Sequence, residues 1–218
     1  MQPTDGRSIM IVGNGTLDPD AAPIIDAADL VMRFNDCRSL GNGGSRTDIV
    51  VVCNTGRPAK RMLEEPGWRD NPAVITADTI WCVRDPEKFA AMRAPLAVSH
   101  PELDDFCDDY TEGFAAFART EGKAFHVVPA ATHDHVDDNL AAFQPPAYVC
   151  PSTGLVAVAE FLTHFSAPGD RVSLAGFGHQ GWEWHPWEAE RRWVDHLVAQ
   201  KQLQRLNYLK PKICASGA

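Results

Sequence analysis

Long apolar runs are missing from this sequence, and none approaches the roughly 18 residues that a membrane-spanning helix requires. The polar segment from Met1 to Ser8 also lacks the basic stretch followed by an apolar stretch that marks a secretory signal. We therefore expect a cytoplasmic protein with no membrane insertion. Internal repeats, low-complexity tracts and obvious linkers are absent too, so the 218 residues predict a single domain over 1–218.

Cysteine is scarce and scattered. No two cysteines form a Cys-x-x-Cys pair, so neither a zinc ribbon nor a redox motif is indicated. A cytoplasmic setting predicts that the thiols are free. The six cysteines are Cys37, Cys53, Cys82, Cys107, Cys150 and Cys214.

Positive charge is in deficit, with 20 Lys and Arg against 29 Asp and Glu and a formal net charge of −9. This balance argues against nucleic acid or an anionic membrane as a partner. It leaves room for a small anionic ligand, because helix dipoles and a few arginines or histidines hold a phosphate whatever the net charge. Arg57, Lys60 and Arg61 form a small basic cluster, which we interpret as a solvated helix face rather than a phosphate site.

Short apolar segments alternate with helical ones, a pattern that predicts a Rossmann-like α/β fold with a mainly parallel sheet and helices on both faces. Predicted strands cover 8–12, 30–34, 49–53, 79–83, 126–128 and 171–175, and 147–149 is strand-like. Predicted helices cover 19–27, 101–120, 134–143, 155–165 and 187–199. The aromatic stripe of Phe106, Tyr110, Phe114 and Phe117 is expected in the core. Residues 86–138 are harder to assign and are expected to be a lid or a less regular subregion.

The first candidate ligand loop is Gly13-Asn14-Gly15, between the first strand and a helix. Two glycines let a ligand approach the backbone, and a helix start offers free amides. The Gly-x-Gly-x-x-Gly pattern fails at Asp18, so a structural turn remains an alternative. Arg33 and Asn35 end the second strand at the sheet edge where ligands bind. There Asn35 either reads a ribose or base, or caps its own turn.

A second candidate loop is Ser152-Thr153-Gly154, at the start of a long apolar helix. A hydroxyl at this position satisfies free amides, and the helix dipole favours an anion. An ordinary capped helix has the same pattern.

Three glycines, two histidines and three tryptophans crowd into residues 176–187. Pro186 suits the first position of a helix and puts His185 at or near its N-cap. The dipole disfavours a charged imidazole there, so His185 stays neutral and can accept a proton near pH 7. Glu190, about one turn on, is placed to orient the ring or affect its basicity. The alternative is a loop histidine with its hydrogen bonds satisfied.

Together these segments resemble the sialyl motifs of the eukaryotic-type sialyltransferases. Residues 151–154 and 176–178 are similar to the small motif, and His185 followed five positions later by Glu190 is similar to the last motif. The resemblance follows the family's motif order over residues 8–56 and 148–208. The chain also resembles bacterial proteins labelled urease operon accessory proteins, a name that comes from gene neighbourhood. The large motif is matched by Val12-Gly13-Asn14, the aspartate-rich segment 26–29, Arg33-Phe34-Asn35 and Gly44-Ser45-Arg46-Thr47.

The sialyltransferase resemblance implies a metal-independent, inverting glycosyltransferase without a cofactor. Its donor would be a CMP-linked acidic sugar, either sialic acid or Kdo, and its acceptor an unknown glycan or small molecule. His185 would be the general base, supported by Glu190, while Ser152, Thr153 and Gly154 would lie near the donor's phosphate or carboxylate. His179 or a neighbouring tryptophan would lie near the leaving phosphate. The implied nucleotide-binding set is Gly13, Asn14, Gly15, Asn35, Ser152, Thr153, Gly154, Gly178 and His179.

The sequence departs from that family in three respects. Ile9, Met10 and residues 167–169 stand where the family has the cysteines of a disulfide that joins its motifs, and no membrane anchor like the family's is expected. Both differences fit a reducing cytoplasm. The short chain also implies a trimmed acceptor-binding part.

Two other functions and one association state stay open. One function is a nucleotide-binding accessory or regulatory protein, linked to a urease operon, that does not catalyse transfer. The other is a metal-handling protein that uses His133 and His135, although this spacing does not direct two side chains to the same helix face. Self-association into a homo-oligomer is also left open.

Overall fold

A parallel β-sheet forms the centre of the molecule in a computed structural model that describes residues 6–206. Every hydrogen-bonded strand pair is parallel, and the strand order is β5-β4-β3-β2-β1-β6-β7. This order confirms the predicted Rossmann-like α/β fold. The strands are β1 (Ser8–Val12), β2 (Leu30–Phe34), β3 (Ile49–Val52), β4 (Thr79–Cys82), β5 (Ala124–Val127), β6 (Arg171–Ala175) and β7 (Gln204–Arg205).

Helices connect the strands. A π-helical turn, Phe161–Phe165, follows α8, and 3-10 turns occur at Pro19–Ala21 and Pro101–Leu103. Within residues 6–206, no helix is both long and apolar enough to cross a membrane. The helices are α1 (Ala22–Asp26), α2 (Gly56–Glu64), α3 (Pro66–Arg69), α4 (Pro72–Thr76), α5 (Pro86–Ser99), α6 (Thr111–Thr120), α7 (Ala130–Ala141), α8 (Thr153–Glu160) and α9 (Trp187–Ala199).

The core lies on both faces of the sheet, because alternate strand residues point to opposite sides. Ile9 and Ile11 of β1 pack with α8 and α9, whereas Met10 and Val12 pack with Ile25 of α1. Burial of both faces explains why the central strands are almost continuously apolar. Helices α2, α3, α4 and α6 cover the second face beneath β3 and β4.

The strand order reverses at β1, whose neighbours are β2 on one side and β6 on the other. In open parallel sheets the loops diverge at such a point and leave a crevice at the carboxyl ends of the strands. The first and second candidate ligand segments of the sequence both lead into this crevice.

Residues 86–138 are more regular than expected. They form α5, α6, β5 and α7, and β5 is an edge strand of the sheet. The predicted helix over 101–120 begins only at Thr111, after a 3-10 turn, although its aromatic stripe is packed in the core as predicted for Phe106, Phe114 and Phe117.

Two further predictions change, and one strand is additional. Residues 147–149 form no strand; Val149 instead donates its N–H to the Trp184 carbonyl, 3.0 Å away, in the loop after β6. The first helix is a 3-10 turn followed by the short α1. Edge strand β7 was not predicted, because two residues carry no periodicity.

The described cysteines are all buried and free. Cys214 lies outside the described residues.

Candidate functional site

The carboxyl ends of β1, β2 and β6 open into a cleft of about 600 Å³. The loops after β1 and β6 form its floor, and the start of α8 and the loop before α9 form its walls. The fold therefore brings together every predicted site residue, from both halves of the chain. The predicted residues that line the cleft are Gly13, Asn14, Gly15, Asn35, Ser152, Thr153, Gly154, Gly178, His179, His185 and Glu190.

Three glycines let the two floor loops touch. Gly13 donates its N–H to the Ala175 carbonyl at 2.8 Å, and Gly15 donates to the Gly176 carbonyl at 2.9 Å. A Cβ added to Gly13 or Gly15 would lie 2.5 or 2.6 Å from the Gly176 oxygen, closer than real side chains approach. Gly176 itself has φ +67°, a conformation that favours glycine. These glycines build the floor, and the absence of side chains also leaves its surface open to a ligand.

The two predicted asparagines already make hydrogen bonds within the chain. Asn14 donates to the Phe34 carbonyl at 3.0 Å and accepts from the Arg38 N–H at 2.9 Å. Asn35 has φ 50° and accepts from the Cys53 N–H at 2.8 Å. Among the described residues, the Asn35 side-chain NH₂ has no acceptor, so it can donate into the cleft. Asn14 ties the loops after β1 and β2 together.

Helix α8 presents free amides to the cleft. The Ser152 hydroxyl caps the helix by accepting from the Leu155 N–H at 3.2 Å. Among residues 6–206, the N–H groups of Thr153 and Gly154 donate to no acceptor. Two open amides at a helix N-terminus favour an anion. Gly154 is additionally pressed against Phe177, whose Cε1 would lie 2.9 Å from an added Cβ.

Glu190 contacts Ser152 and not His185, which differs from the expected pairing. Its carboxylate accepts from the Ser152 N–H at 2.7 Å and from the Ser152 hydroxyl at 2.6 Å. Glu190 is 1% exposed, and burial raises its pKa to about 7 although the Ser152 hydrogen bonds oppose the rise. The position of Glu190 in the first turn of α9 is as predicted. The imidazole of His185, which Glu190 was expected to orient, has a different hydrogen-bond partner.

His185 is held by the backbone. Its Nδ1 lies 2.7 Å from the carbonyl oxygen of Cys150. A carbonyl only accepts, so Nδ1 carries the proton and Nε2 keeps a free lone pair. The rings of Trp182 and Trp187 meet the imidazole edge-on, with centroids 4.9 and 5.0 Å away. The tautomer therefore leaves Nε2 as the nitrogen that can take a proton.

Burial is the main reason that His185 is neutral. It lowers the pKa to about 4, with the positive charge of Arg84 acting in the same direction and the Cys150 hydrogen bond opposing. From the sequence, the expected cause of this neutrality is the helix dipole, with His185 at or near the N-cap. In the structure Pro186 is the N-cap of α9 and His185 precedes it.

His179 is a second neutral histidine of the cleft. It has φ 45°, and its Nε2 lies 3.2 Å from Nη2 of Arg205. Because a guanidinium only donates, Nε2 accepts and Nδ1 carries the proton. Burial and the charge of Arg205 lower the pKa of His179 to about 4. His179 can thus offer one N–H to a ligand.

Arg33 is a structural residue, although its place at the end of β2 suggested a ligand contact. It is fully buried and donates to the Thr47 hydroxyl at 3.0 Å, the Ser39 hydroxyl at 3.0 Å and the Gly43 carbonyl at 2.7 Å. The Asp26 carboxylate accepts from the Arg46 N–H at 2.9 Å. These bonds fix the loop over residues 39–47.

The histidines considered for metal binding do not form a common site. His133 is buried and donates through Nε2 to the Val83 carbonyl at 2.8 Å, whereas His135 is exposed beside Asn139. Over residues 6–206, no group of three or more His, Cys, Asp or Glu side chains has the geometry to hold a metal ion.

Comparison with known proteins places the chain in a family. No family model matches it. The "Urease operon 23 kDa accessory protein" of Rhizobium meliloti (strain 1021) is 59% identical over 213 residues, which cover 98% of this chain and 99% of that protein. The chain belongs to the family of this accessory protein.

Solved mammalian sialyltransferases share the fold of this chain. One, solved in complex with Gal-beta-1-3GalNAc-ortho-nitrophenol, superposes with a TM-score of 0.53 at 18% identity over 92% of this chain and 69% of that one. A second mammalian sialyltransferase gives a TM-score of 0.52 at 19% identity, over 92% of this chain and 68% of that one. The likeness confirms a sialyltransferase-like glycosyltransferase fold.

Several residues that line the site escaped the sequence analysis. Arg61 of α2 faces the cleft and pairs with Asp36 at 2.7 Å, while Arg57 pairs with Asp105 at 2.8 Å. Both are exposed on the helix, as predicted, but they also line the site, which the interpretation as a solvated helix face did not include. Arg84 was also missed, although it follows strand β4 at the same carboxyl edge as the predicted residues; that position was an available signal.

Proposed function

We propose that this protein is an inverting glycosyltransferase. It moves an acidic sugar of the sialic acid or Kdo type from a CMP-linked donor to an acceptor hydroxyl, with no metal cofactor. The observation that carries the proposal is the state of His185: a neutral imidazole with Nδ1–H bound to the backbone and Nε2 free. A neutral histidine with a fixed tautomer suits general-base catalysis.

In this proposal the nucleotide lies on the glycine floor. Gly13, Gly15 and Gly178 let the donor approach the backbone, and the free NH₂ of Asn35 donates to its base or ribose. The phosphate faces the unpaired amides of Thr153 and Gly154. Helix amides stabilise a phosphate without a metal ion.

The proposed reaction is a single displacement. His185 Nε2 takes the proton of the acceptor hydroxyl as its oxygen bonds to the anomeric carbon. The bond from that carbon to the phosphate oxygen breaks, and its electron pair leaves on CMP. Negative charge grows on the phosphate, where the α8 amides and the Nδ1–H of His179 stabilise it. Attack opposite the leaving group inverts the anomeric centre.

A second candidate function is a nucleotide-binding accessory or regulatory protein that performs no transfer. Two observations favour it. The 59%-identical relative is named an accessory protein of a urease operon. Glu190 is bound to Ser152, and His185 accordingly receives no carboxylate that would raise its pKa.

Calorimetric titration with CMP tests the donor site, with UMP, AMP and GMP as controls. Selective CMP binding is expected; failure to bind any of these nucleotides would reject both functions. Turnover of CMP-Kdo or CMP-sialic acid, followed as CMP release in the presence of candidate acceptors, then separates them. Release that depends on His185 supports the transferase, and selective binding without release supports the accessory protein.

A further inference from the structure

A second cavity of about 400 Å³ adjoins the cleft. The two spaces share Asn35, Pro58, Thr153, Trp182 and His185 in their walls. His185 therefore lies at the junction of the two, and a group in the second cavity can reach the imidazole.

Arg84 is the buried charge of this cavity. It lines the cavity wall although only 7% of the residue is exposed. Its Cζ lies over the rings of both Phe89 and Phe106, 4.9 and 4.4 Å from their centroids. Contacts with aromatic faces offset part of the cost of burying a cation and leave the edge of the guanidinium available.

The backbone and side chain of Arg84 are both fixed. Asn54 accepts from the Arg84 N–H at 2.8 Å and donates to its carbonyl at 2.8 Å. Nη1 donates to the Thr55 hydroxyl. Nη2 contacts Cys150 Sγ at 3.8 Å, and the same sulfur lies 4.0 Å from Nδ1 of His185. Cys150 thus separates Arg84 from His185 by a single side chain.

Arg84 has no carboxylate partner among the described residues. Asp105 lines the same cavity but is paired with Arg57 at 2.8 Å. The cavity consequently keeps the positive charge of Arg84. A buried, unpaired guanidinium is costly unless a partner arrives, and its planar set of N–H donors matches a carboxylate or phosphate.

We propose that the second cavity is an anion-binding subsite in which Arg84 pairs with a carboxylate or phosphate of the molecule that reaches His185. The subsite stands on the cavity itself. Only the origin of the anion rests on the proposed function: it is either the carboxylate of the donor's acidic sugar or an anionic group of the acceptor.

Titration of inorganic phosphate into protein saturated with CMP tests the subsite, because CMP fills the competing amides of α8. Phosphate is expected to bind the wild-type protein. The Arg84→Met substitution is expected to lower the affinity for phosphate at least about tenfold. Lys60→Met is the control: it removes one positive charge from the exposed face of α2, outside both cavities. Its phosphate affinity should stay within about twofold.

If circular dichroism shows that Arg84→Met does not fold, Arg84→Lys is used instead. Lysine keeps the charge but lacks the planar set of donors, so this variant should bind phosphate several-fold more weakly than wild type. The subsite is overturned if the folded Arg84 variant binds phosphate as tightly as wild type. It is also overturned if the wild-type protein does not bind phosphate.

CMP-N-acetylneuraminate and CMP-Kdo identify the source of the anion. Suppose that either CMP-sugar displaces phosphate, and that the Arg84 substitution lowers the affinity for this CMP-sugar but not for CMP. Arg84 then binds the carboxylate of the donor sugar. If phosphate binds together with the CMP-sugar, the anion belongs to the acceptor. Should wild type bind no CMP yet bind phosphate in an Arg84-dependent way, the proposed function fails and the subsite stands.

Discussion

The Glu190 carboxylate accepts two hydrogen bonds from Ser152, one from the backbone N–H at 2.7 Å and one from the hydroxyl at 2.6 Å. These bonds join the first turn of α9 to the N-cap of α8. Both walls of the cleft are therefore fixed relative to each other by one buried carboxylate. The Thr153 and Gly154 amides and the His185 imidazole lie on these two walls.

Glu190→Gln is expected to change how stability depends on pH. Burial raises the pKa of Glu190 to about 7 from its ordinary 4.5. Between these values the folded protein binds more protons than the unfolded chain, so this group lowers stability as the pH rises through the window. Relative to wild type, the free energy of unfolding of Glu190→Gln should rise by about 3 kcal/mol from pH 4.5 to 8. Urea unfolding across this pH range measures it.

Glu188→Gln is the matched control for that series. Glu188 lies in the same first turn of α9, but it is exposed and paired with Arg191, which lowers its pKa. No comparable gain between pH 4.5 and 8 is expected. An identical pH slope in wild type and Glu190→Gln would contradict the raised pKa.

His185→Ala is expected to abolish transfer and to preserve nucleotide binding. Loss of a general base lowers rates by about 10² to 10⁴-fold. The nucleotide is expected on the glycine floor, away from this ring, so the CMP affinity should stay within about threefold, as judged by calorimetry. His135→Ala changes an exposed histidine outside the cleft and should turn over at the wild-type rate. Unaltered CMP release in His185→Ala would rule out the assigned base.

The pH profile of transfer offers an independent check on His185. Burial holds its pKa at about 4, and only the neutral ring accepts a proton. The value of kcat/KM should therefore rise with pH through about 4 and show no further step from this group at higher pH. A rising limb near 6.5, the ordinary value for histidine, would mean that the ring is not buried in the working enzyme.

Much of the sheet could be predicted from the sequence. Strands β1, β2 and β6 match their predicted bounds because each is a short, mainly apolar run followed directly by glycine or asparagine. The helix over 101–120 was overextended, since its aromatic spacing continues across a turn that the chain makes around Phe106. Spacing alone does not reveal such a turn, because the ring packs in the core in either conformation.

The membership of the site was predictable, and its contacts were not. The motif residues end or follow parallel strands, so the fold brings them to one edge. Whether Glu190 faces His185 or Ser152 depends on how α9 packs against α8, which no local pattern encodes. Arg33 shows the same limit: a guanidinium at a strand end serves a ligand or a loop equally well, and only the position of residues 39–47 decides.

Arg33→Met is expected to destabilise the fold strongly. It leaves the Gly43 carbonyl and the Ser39 and Thr47 hydroxyls without their donor inside the protein. Unpaired buried acceptors cost free energy, so the free energy of unfolding should fall by about 3 kcal/mol. Arg171→Met, at an exposed strand position, should change it by about 0.5 kcal/mol or less. Equal effects in denaturant unfolding would refute a structural role for Arg33.

Gly176→Ala tests the close contact of the two floor loops. Gly176 has φ +67°, and an added Cβ would lie 2.9 Å from the Gly13 carbonyl oxygen. Gly122 provides the comparison, because it has φ +65° and nothing within 4 Å of an added Cβ. Both alanines carry the left-handed strain of about 1–2 kcal/mol, whereas only Gly176→Ala adds a backbone collision.

In urea unfolding, Gly176→Ala should therefore lower the free energy of unfolding by about 1–3 kcal/mol more than Gly122→Ala does. The collision also separates the loops after β1 and β6, so CMP affinity should fall in Gly176→Ala and stay constant in Gly122→Ala. Equal destabilisation of both variants, with equal CMP affinity, would show that the floor accommodates a methyl group. The glycines would then be required for neither the loop contact nor the ligand.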